Sequence, residues 1–149
     1  LLDLSQRHIE GKRKWRGLRL QTQPPSLPEK LLGGIQAAIF WPLHAVGEQL
    51  VYKTIKEGTG GKLKYFVSGG GSLAMHLENF FEIVGLPVLV GYGLTETSPV
   101  THARRPWHNL RGSAGQPIPG TEAKIVDPET RQPLPLGKTG LVLLRGPQV

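Results

Sequence analysis

The sequence has 149 residues, 38% of them hydrophobic and 19% charged, with 18 Lys/Arg against 11 Asp/Glu and a formal charge of +7. That balance fits a globular chain with one core, or part of one, rather than a disordered one. Cysteine is absent, which excludes a disulfide framework, a thiol nucleophile and a cysteine-rich zinc site.

Residues 1–20 mix Leu with Arg, Lys and Asp and do not read as a secretory leader. Six cations (Arg7, Lys12, Arg13, Lys14, Arg16 and Arg19) fall within thirteen residues, with Glu10 the only acid among them. Such a cluster attracts anionic lipid or an acidic protein, or is simply a solvated stretch. Nucleic acid is the weakest partner, because Trp15 is the only aromatic there and no nucleic-acid motif accompanies it. Three prolines follow in 21–28, so residues 1–30 are expected to form a basic and then Pro-rich extended connection. Residues 31–60 read as helical, with Pro42 expected to split them into one helix ending near Phe40 and another over 43–56. The uncharged run 31–47 is too short and too interrupted to span a membrane, although an amphipathic segment can lie on one.

Residues 61–149 form the expected α/β section. A strand over 63–68, a helix over 73–84 and a buried strand over 87–90 give a strand–loop–helix–strand order, hence a βαβ unit with a parallel sheet. Beyond Thr101 the texture shifts to short strands, at 123–126 and 141–144, punctuated by glycines. That pattern predicts a small antiparallel or barrel-like section.

Two Gly-rich loops stand at the carboxyl ends of the two parallel strands, the edge where open α/β sheets bind ligands. The first contains Gly70, Gly71 and Ser72; its plain structural reading is a strand-to-helix turn with Ser72 as N-cap. It is not a Walker loop, since no Gly-Lys-Ser/Thr follows. The second runs Gly91, Tyr92, Gly93, Leu94, Thr95, Glu96, Thr97. Tyr92 can stack on a purine, Thr95 can donate to a phosphate, and Glu96 can offer magnesium a hard oxygen. Side-chain chemistry alone equally allows Tyr92 as core filler, Thr95 as a helix cap and Glu96 as a surface acid.

The string Tyr-Gly-Leu-Thr-Glu-Thr at 92–97 resembles the signature loop of the acyl-adenylate-forming, AMP-binding synthetases. The loop at 68–73 resembles the adenine loop of that superfamily, Gly-Ser-Ala-Gly-Gln-Pro at 112–117 its GSxGxP turn, 123–127 its xKIVD strand, and 140–146 its GELxxRG segment, with Leu141 in place of the Glu. The details look most like the long-chain acyl-CoA synthetase and acyl-acyl carrier protein synthetase branch. The resemblance implies nucleotide binding by Gly70, Gly71, Ser72, Gly91, Tyr92, Gly93, Leu94 and Thr95, with Thr95 and Glu96 as the catalytic pair and Glu96 on the metal. It implies ATP and Mg2+ as cofactors, a fatty acid as substrate, and CoA or acyl carrier protein as acceptor, while the basic cluster beside an apolar helix allows a peripheral membrane contact through residues 7–56. The compartment implied is cytoplasmic or plastid.

On this reading residues 1–149 are a fragment of one large N-terminal AMP-binding domain, and by themselves inactive. The phosphate loop with its lysine and the C-terminal adenylation lysine of the superfamily have no counterpart in the sequence. Luciferase-like enzymes and non-catalytic AMP-binding modules remain rivals. Amino-acid adenylating enzymes are a third rival, although they usually carry Pro where Leu94 stands.

Overall fold

The computed structural model describes residues 1–149. The chain opens with helix α1 (Leu2–Arg16), where an extended connection was expected. Its carboxyl end is closed by Gly17 at φ 68°, whose N–H donates to Lys14 O at 3.1 Å. Hydrophobic periodicity is silent over α1 because its inward residues are Ser5, His8, Gly11 and Arg13, with Ile9 the lone large apolar side chain among them.

Helix α2 (Leu27–Gly47) starts four residues earlier than 31, set by a capping box in which Ser26 and Glu29 satisfy each other's backbone N–H groups. Pro42 does not break it. The proline is solvent-exposed, and the helix runs on to Gly47, widens into a π-helical turn (Glu48–Tyr52) and finishes as α3 (Lys53–Gly58). The missing proline N–H costs one backbone bond, and packing of the opposite face against α1 outweighs that local loss. The two helices are antiparallel and close: His8 Nδ1 lies 2.7 Å from Ala37 O, and Lys14 Nζ donates to Gln36 Oε1 at 3.2 Å. The π turn brings Tyr52, 1% exposed, to where its hydroxyl donates to Ser5 Oγ at 2.8 Å.

Strand β1 (Phe66–Ser68), helix α4 (Met75–Val84) and strand β2 (Val88–Gly93) form the expected βαβ unit, with β1 and β2 parallel in the register Phe66–Val88 to Ser68–Val90. The core sits under it: Ile83, Val84 and Leu86 pack with Ile9 of α1 and Tyr52, flanked by Ile55, Phe66 and Phe80. Strand β3 (Val100–Ala103) returns antiparallel to β2, and the short β4 (Gln116–Pro117) pairs on its far side. The sheet order is therefore β1-β2-β3-β4, parallel at one edge and antiparallel at the other. Strands β5 (Glu122–Val126) and β6 (Leu141–Arg145) make a separate two-stranded antiparallel ribbon, the small antiparallel section expected.

The basic cluster divides. Arg13 is buried at 5% exposure and clamps Glu82 of α4, with Nε to Oε1 at 2.9 Å and Nη2 to Oε2 at 2.7 Å. Its Nη1 donates to Leu18 O at 3.2 Å and Asn109 O at 3.0 Å. Arg7 pairs with Asp3. Only Lys12, Arg16 and Arg19 of the six are exposed cations without an ion pair. The cluster is thus a structural helix with one internal anchor, not a linker.

Candidate functional site

Both Gly-rich loops open into one cavity of about 500 Å³. Gly70, Gly71 and Ser72 line it together with Gly91, Tyr92 and Gly93 of the neighbouring strand. Gly70 sits at φ 81°, a conformation that side chains other than glycine rarely adopt, and a Cβ there would point into open space. Helix α4 begins only after Ala74, which is its N-cap without a side-chain bond. Ser72 is therefore not the cap; it lies in the cavity wall, three residues ahead of the helix.

Gly91, Tyr92 and Gly93 belong to β2 itself rather than to a loop after it. Their pairing with β3 is interrupted by a bulge between Tyr92 and Gly93. A Cβ on Gly93 would collide with the Pro99 carbonyl, so the sharp return into β3 requires glycine there. Tyr92 is 36% exposed, with its ring edge-on to His102 at 5.9 Å. Thr101 is fully buried; its hydroxyl donates to Tyr92 O at 3.2 Å and lies 3.0 Å from His102 Nδ1. Burial holds His102 below its ordinary pKa, favouring the neutral ring beside Tyr92.

Leu94, Thr95 and Glu96 stand outside the cavity lining, on the turn that follows β2. Thr95 and Glu96 begin a single 3-10 turn (Thr95–Thr97) and are exposed, and the Glu96 carboxylate pairs with no cation of the chain. The turn is fixed by Thr97, 3% exposed, whose hydroxyl accepts from Leu94 N–H at 2.9 Å and donates to Pro99 O at 2.7 Å. No group of three or more His, Cys, Asp or Glu gathers anywhere in the chain.

Among the lining residues, Glu78 and Arg104 escaped the sequence reading, and Ser113 and Ala114 were read only as part of a turn. Glu78 and Arg104 form a buried ion pair at 2.6 Å on the cavity wall, and Ser113 and Ala114 close its far side. Arg104 Nε donates to Ser113 O at 2.7 Å, so the pair holds the 112–114 segment against α4. The Gly-Ser-Ala-Gly run was legible as a turn, but its position against the cavity depends on Arg104, which carries no local signal.

With that geometry in place, residues 21–149 match the family described as AMP-binding enzyme. The chain belongs to that family. It is 45% identical over its whole length to a chloroplastic long-chain-fatty-acid–[acyl-carrier-protein] ligase of Arabidopsis thaliana, and 48% identical to the probable acyl-activating enzyme 16, chloroplastic, of the same plant. It spans 21% of each of those proteins. It is 32% identical over 74% of its length to a long-chain-fatty-acid–CoA ligase of Saccharomyces cerevisiae, covering 17% of that protein. Among solved structures it resembles the anthranilate CoA ligase AuaEII in complex with anthranoyl-AMP, with TM-score 0.54 and 32% identity over 59% of this chain and 17% of that one. It also superposes on apo MatB from Rhodopseudomonas palustris with TM-score 0.55 over 99% of this chain and 36% of that one; at 22% identity this shows the fold alone. The α/β fold expected from the sequence is the fold observed.

Proposed function

We propose that the chain forms the adenine-binding side of the site in a longer ligase that activates long-chain fatty acids with ATP. The supporting observation is the single cavity lined by Gly70, Gly71 and Ser72 together with Gly91, Tyr92 and Gly93, with Gly70 in a conformation that favours glycine. A half-exposed Tyr92 ring offers a stacking face, and the bare backbone of the glycines admits a flat purine edge. The fatty carboxylate oxygen attacks the α-phosphorus, the bond to pyrophosphate breaks, and acyl-AMP forms. The sulfur of CoA or of a carrier protein's arm then attacks the acyl carbonyl carbon. The bond to AMP breaks with its electron pair, and the thiol proton passes to solvent.

Thr95 donates to the α-phosphate, and Glu96 holds Mg2+ from the turn after β2. One exposed carboxylate beside hydroxyls fits this metal, which keeps most of its shell as water and phosphate oxygen and needs no protein cage. Bound there, Mg2+ supplies charge neutralisation at the phosphates.

The decisive experiment is fatty-acid-dependent ATP–pyrophosphate exchange by the full-length protein. We expect exchange with long-chain acids, and Tyr92→Ala to raise the KM for ATP roughly five- to hundredfold through about 1–3 kcal/mol of lost stacking. No exchange with any acid, or an unaltered KM in the variant, refutes the reading.

The peripheral membrane contact of residues 7–56 falls to the outward face of α2. Leu31, Ile35, Ile39 and Val46 are exposed there at helical spacing, and no charge occurs between Lys30 and Glu48. No helix is long and apolar enough to cross a membrane. Ile35→Glu with Ile39→Glu should abolish flotation of the full-length protein on anionic vesicles; equal flotation removes the contact. The compartment that suits this substrate is cytoplasmic or plastid.

A further inference from the structure

Strands β2 and β3 lose register beside Tyr92 in a way that re-aims one side chain. Gly91 pairs with Ala103 and Tyr92 with His102, but Gly93 pairs with Val100, so Thr101 is the extra residue of a bulge in β3. On a regular strand, successive side chains point to opposite faces. The bulge instead brings two neighbours together: the Thr101 hydroxyl lies 3.0 Å from His102 Nδ1. The same hydroxyl donates to Tyr92 O at 3.2 Å. It has one hydrogen to give, so both contacts are hydrogen bonds only when His102 Nδ1 carries a proton and donates it. Thr101 is fully buried, and no bulk water competes for its hydroxyl. The imidazole is thereby fixed in one tautomer and one orientation. Its centroid lies 5.9 Å from that of the Tyr92 ring, with the two planes at 65°, the edge-to-face arrangement in which aromatic rings attract.

We propose that His102 is a positioning residue: braced by Thr101, it holds the Tyr92 ring as the face on which a purine stacks, a role that rests on the adenine-binding reading of the neighbouring cavity. Tyr92 is 36% exposed, so an unbraced ring would sample other rotamers and would have to be ordered as the nucleotide arrives. A side chain ordered in advance removes that cost from binding. His102 is not among the residues that line the cavity, so it acts through Tyr92 rather than on the nucleotide. Its contribution therefore falls on nucleotide affinity more than on the chemistry at phosphorus.

The test is a double-mutant cycle read by calorimetric titration of the full-length protein with ATP. His102→Ala should weaken ATP binding by about two- to tenfold, the scale of one aromatic pair, with a smaller loss of turnover in acid-dependent pyrophosphate exchange. His102→Phe, which keeps a ring against Tyr92, should recover most of the lost affinity. In the Tyr92→Ala background, His102→Ala should change the affinity by less than about twofold, because no ring remains to be positioned. An unchanged affinity in His102→Ala, a loss that Phe does not restore, or a full additive loss in the Tyr92→Ala background overturns the role of His102 and leaves the stacking by Tyr92 standing. An unchanged affinity in Tyr92→Ala alone refutes the stacking, and the role of His102 with it.

Discussion

Glu78 and Arg104, twenty-six residues apart in sequence, meet at 2.6 Å with side chains only 5% and 3% exposed. Arg104 also makes a second contact to the carboxylate at 3.3 Å and donates to Ser113 O at 2.7 Å. One guanidinium thus joins α4, the end of β3 and the 112–114 segment, three pieces that line the glycine-walled cavity. A buried pair gains little over an apolar substitute, but removing one partner strands a charge away from water.

Glu78→Gln in the full-length protein should therefore cost about 3–5 kcal/mol of stability, with Arg104→Gln similar. Replacing both by Leu and Met should recover most of that loss while leaving the 112–114 segment unanchored. Urea denaturation of the three variants checks this. Additive losses in the double variant would show that the pair attracts less than its residues pack.

Arg13 makes the same point about the basic stretch. Its guanidinium, 6% exposed, is held by Glu82 and by two backbone carbonyls. Arg13→Gln should destabilise the protein by about 3–5 kcal/mol, whereas Lys12→Gln, on the exposed face of α1, should change stability by less than about 0.5 kcal/mol. Thermal denaturation of the two variants separates an internal anchor from a surface charge. Equal, small effects would return the whole segment to solvent.

Helix α1 fits α2 through absent side chains. A Cβ on Gly33 would lie 2.5 Å from Lys14 Cβ and 2.8 Å from Trp15 N. Alanine is the better helix former by about 1 kcal/mol. Gly33→Ala should nonetheless destabilise by about 1–3 kcal/mol, because it pushes the two backbones apart. Gly34→Ala meets only the Trp15 ring, which is half exposed and free to swing, and should be milder. Unfolding free energies ranked the other way would refute the close-packed seam.

Between the same helices His8 and His44 stack with ring centroids 4.8 Å apart, and His44 Nδ1 is buried without a partner. Burial, then the neighbouring His8, pushes the His44 pKa below its ordinary 6.5; Lys12 and Lys56 act in the same sense, and Glu48 opposes. The folded state thus binds fewer protons than the unfolded chain below about pH 6.5. Stability is full above that pH and falls on acidification, down to the depressed folded value, where the decline attributable to His44 ends. His44→Phe should flatten that part of the curve. Midpoint denaturant concentrations between pH 8 and 5 test it; an unchanged slope in the variant would assign the acid sensitivity elsewhere.

The βαβ unit and β6 were legible because their strands are largely apolar runs near glycine or proline, and β5 because Ile125 and Val126 precede the Asp127-Pro128 turn. The bounds drifted where tertiary contacts decide: β1 starts at Phe66, not 63, because only three residues find partners on β2. Helix α1 was illegible because its inward face is polar, and its burial is satisfied by partners far away in sequence, Glu82 and Ala37 among them. Pro42 misled because a local rule met a helix whose opposite face is fixed by packing. At the cavity, the glycines and Tyr92 were singled out by the resemblance of their strings to a known signature, since their side-chain chemistry alone left the choice open. Glu78, Arg104 and Thr101 were not, because nothing local distinguishes a buried polar anchor from a surface one.

Glu96 carries the sharpest test of the chemistry. It sits on the turn that Thr97 locks, exposed, next to Thr95, and no cation of the chain neutralises it. If the proposed function holds, this unpaired carboxylate serves a metal-bound phosphate; if not, it is an ordinary surface acid. Glu96→Gln keeps the size and removes the charge, so the turn and the nucleotide cavity should persist. Losing one electrostatic stabiliser of the transition state costs about 2.7–4 kcal/mol, or roughly a hundred- to thousandfold in turnover. The full-length variant should therefore bind ATP with a nearly unchanged dissociation constant, exchange pyrophosphate far more slowly, and need more magnesium to reach half its maximal rate. Tyr92→Ala should show the reverse split, with weaker ATP binding and a smaller loss of turnover. Because the two side chains sit on either side of the β2 bulge, a nonspecific collapse of the strand would damage both readouts in both variants. Pyrophosphate exchange measured across a magnesium titration distinguishes these cases. A wild-type rate with unshifted magnesium dependence in Glu96→Gln would make that residue an ordinary surface acid.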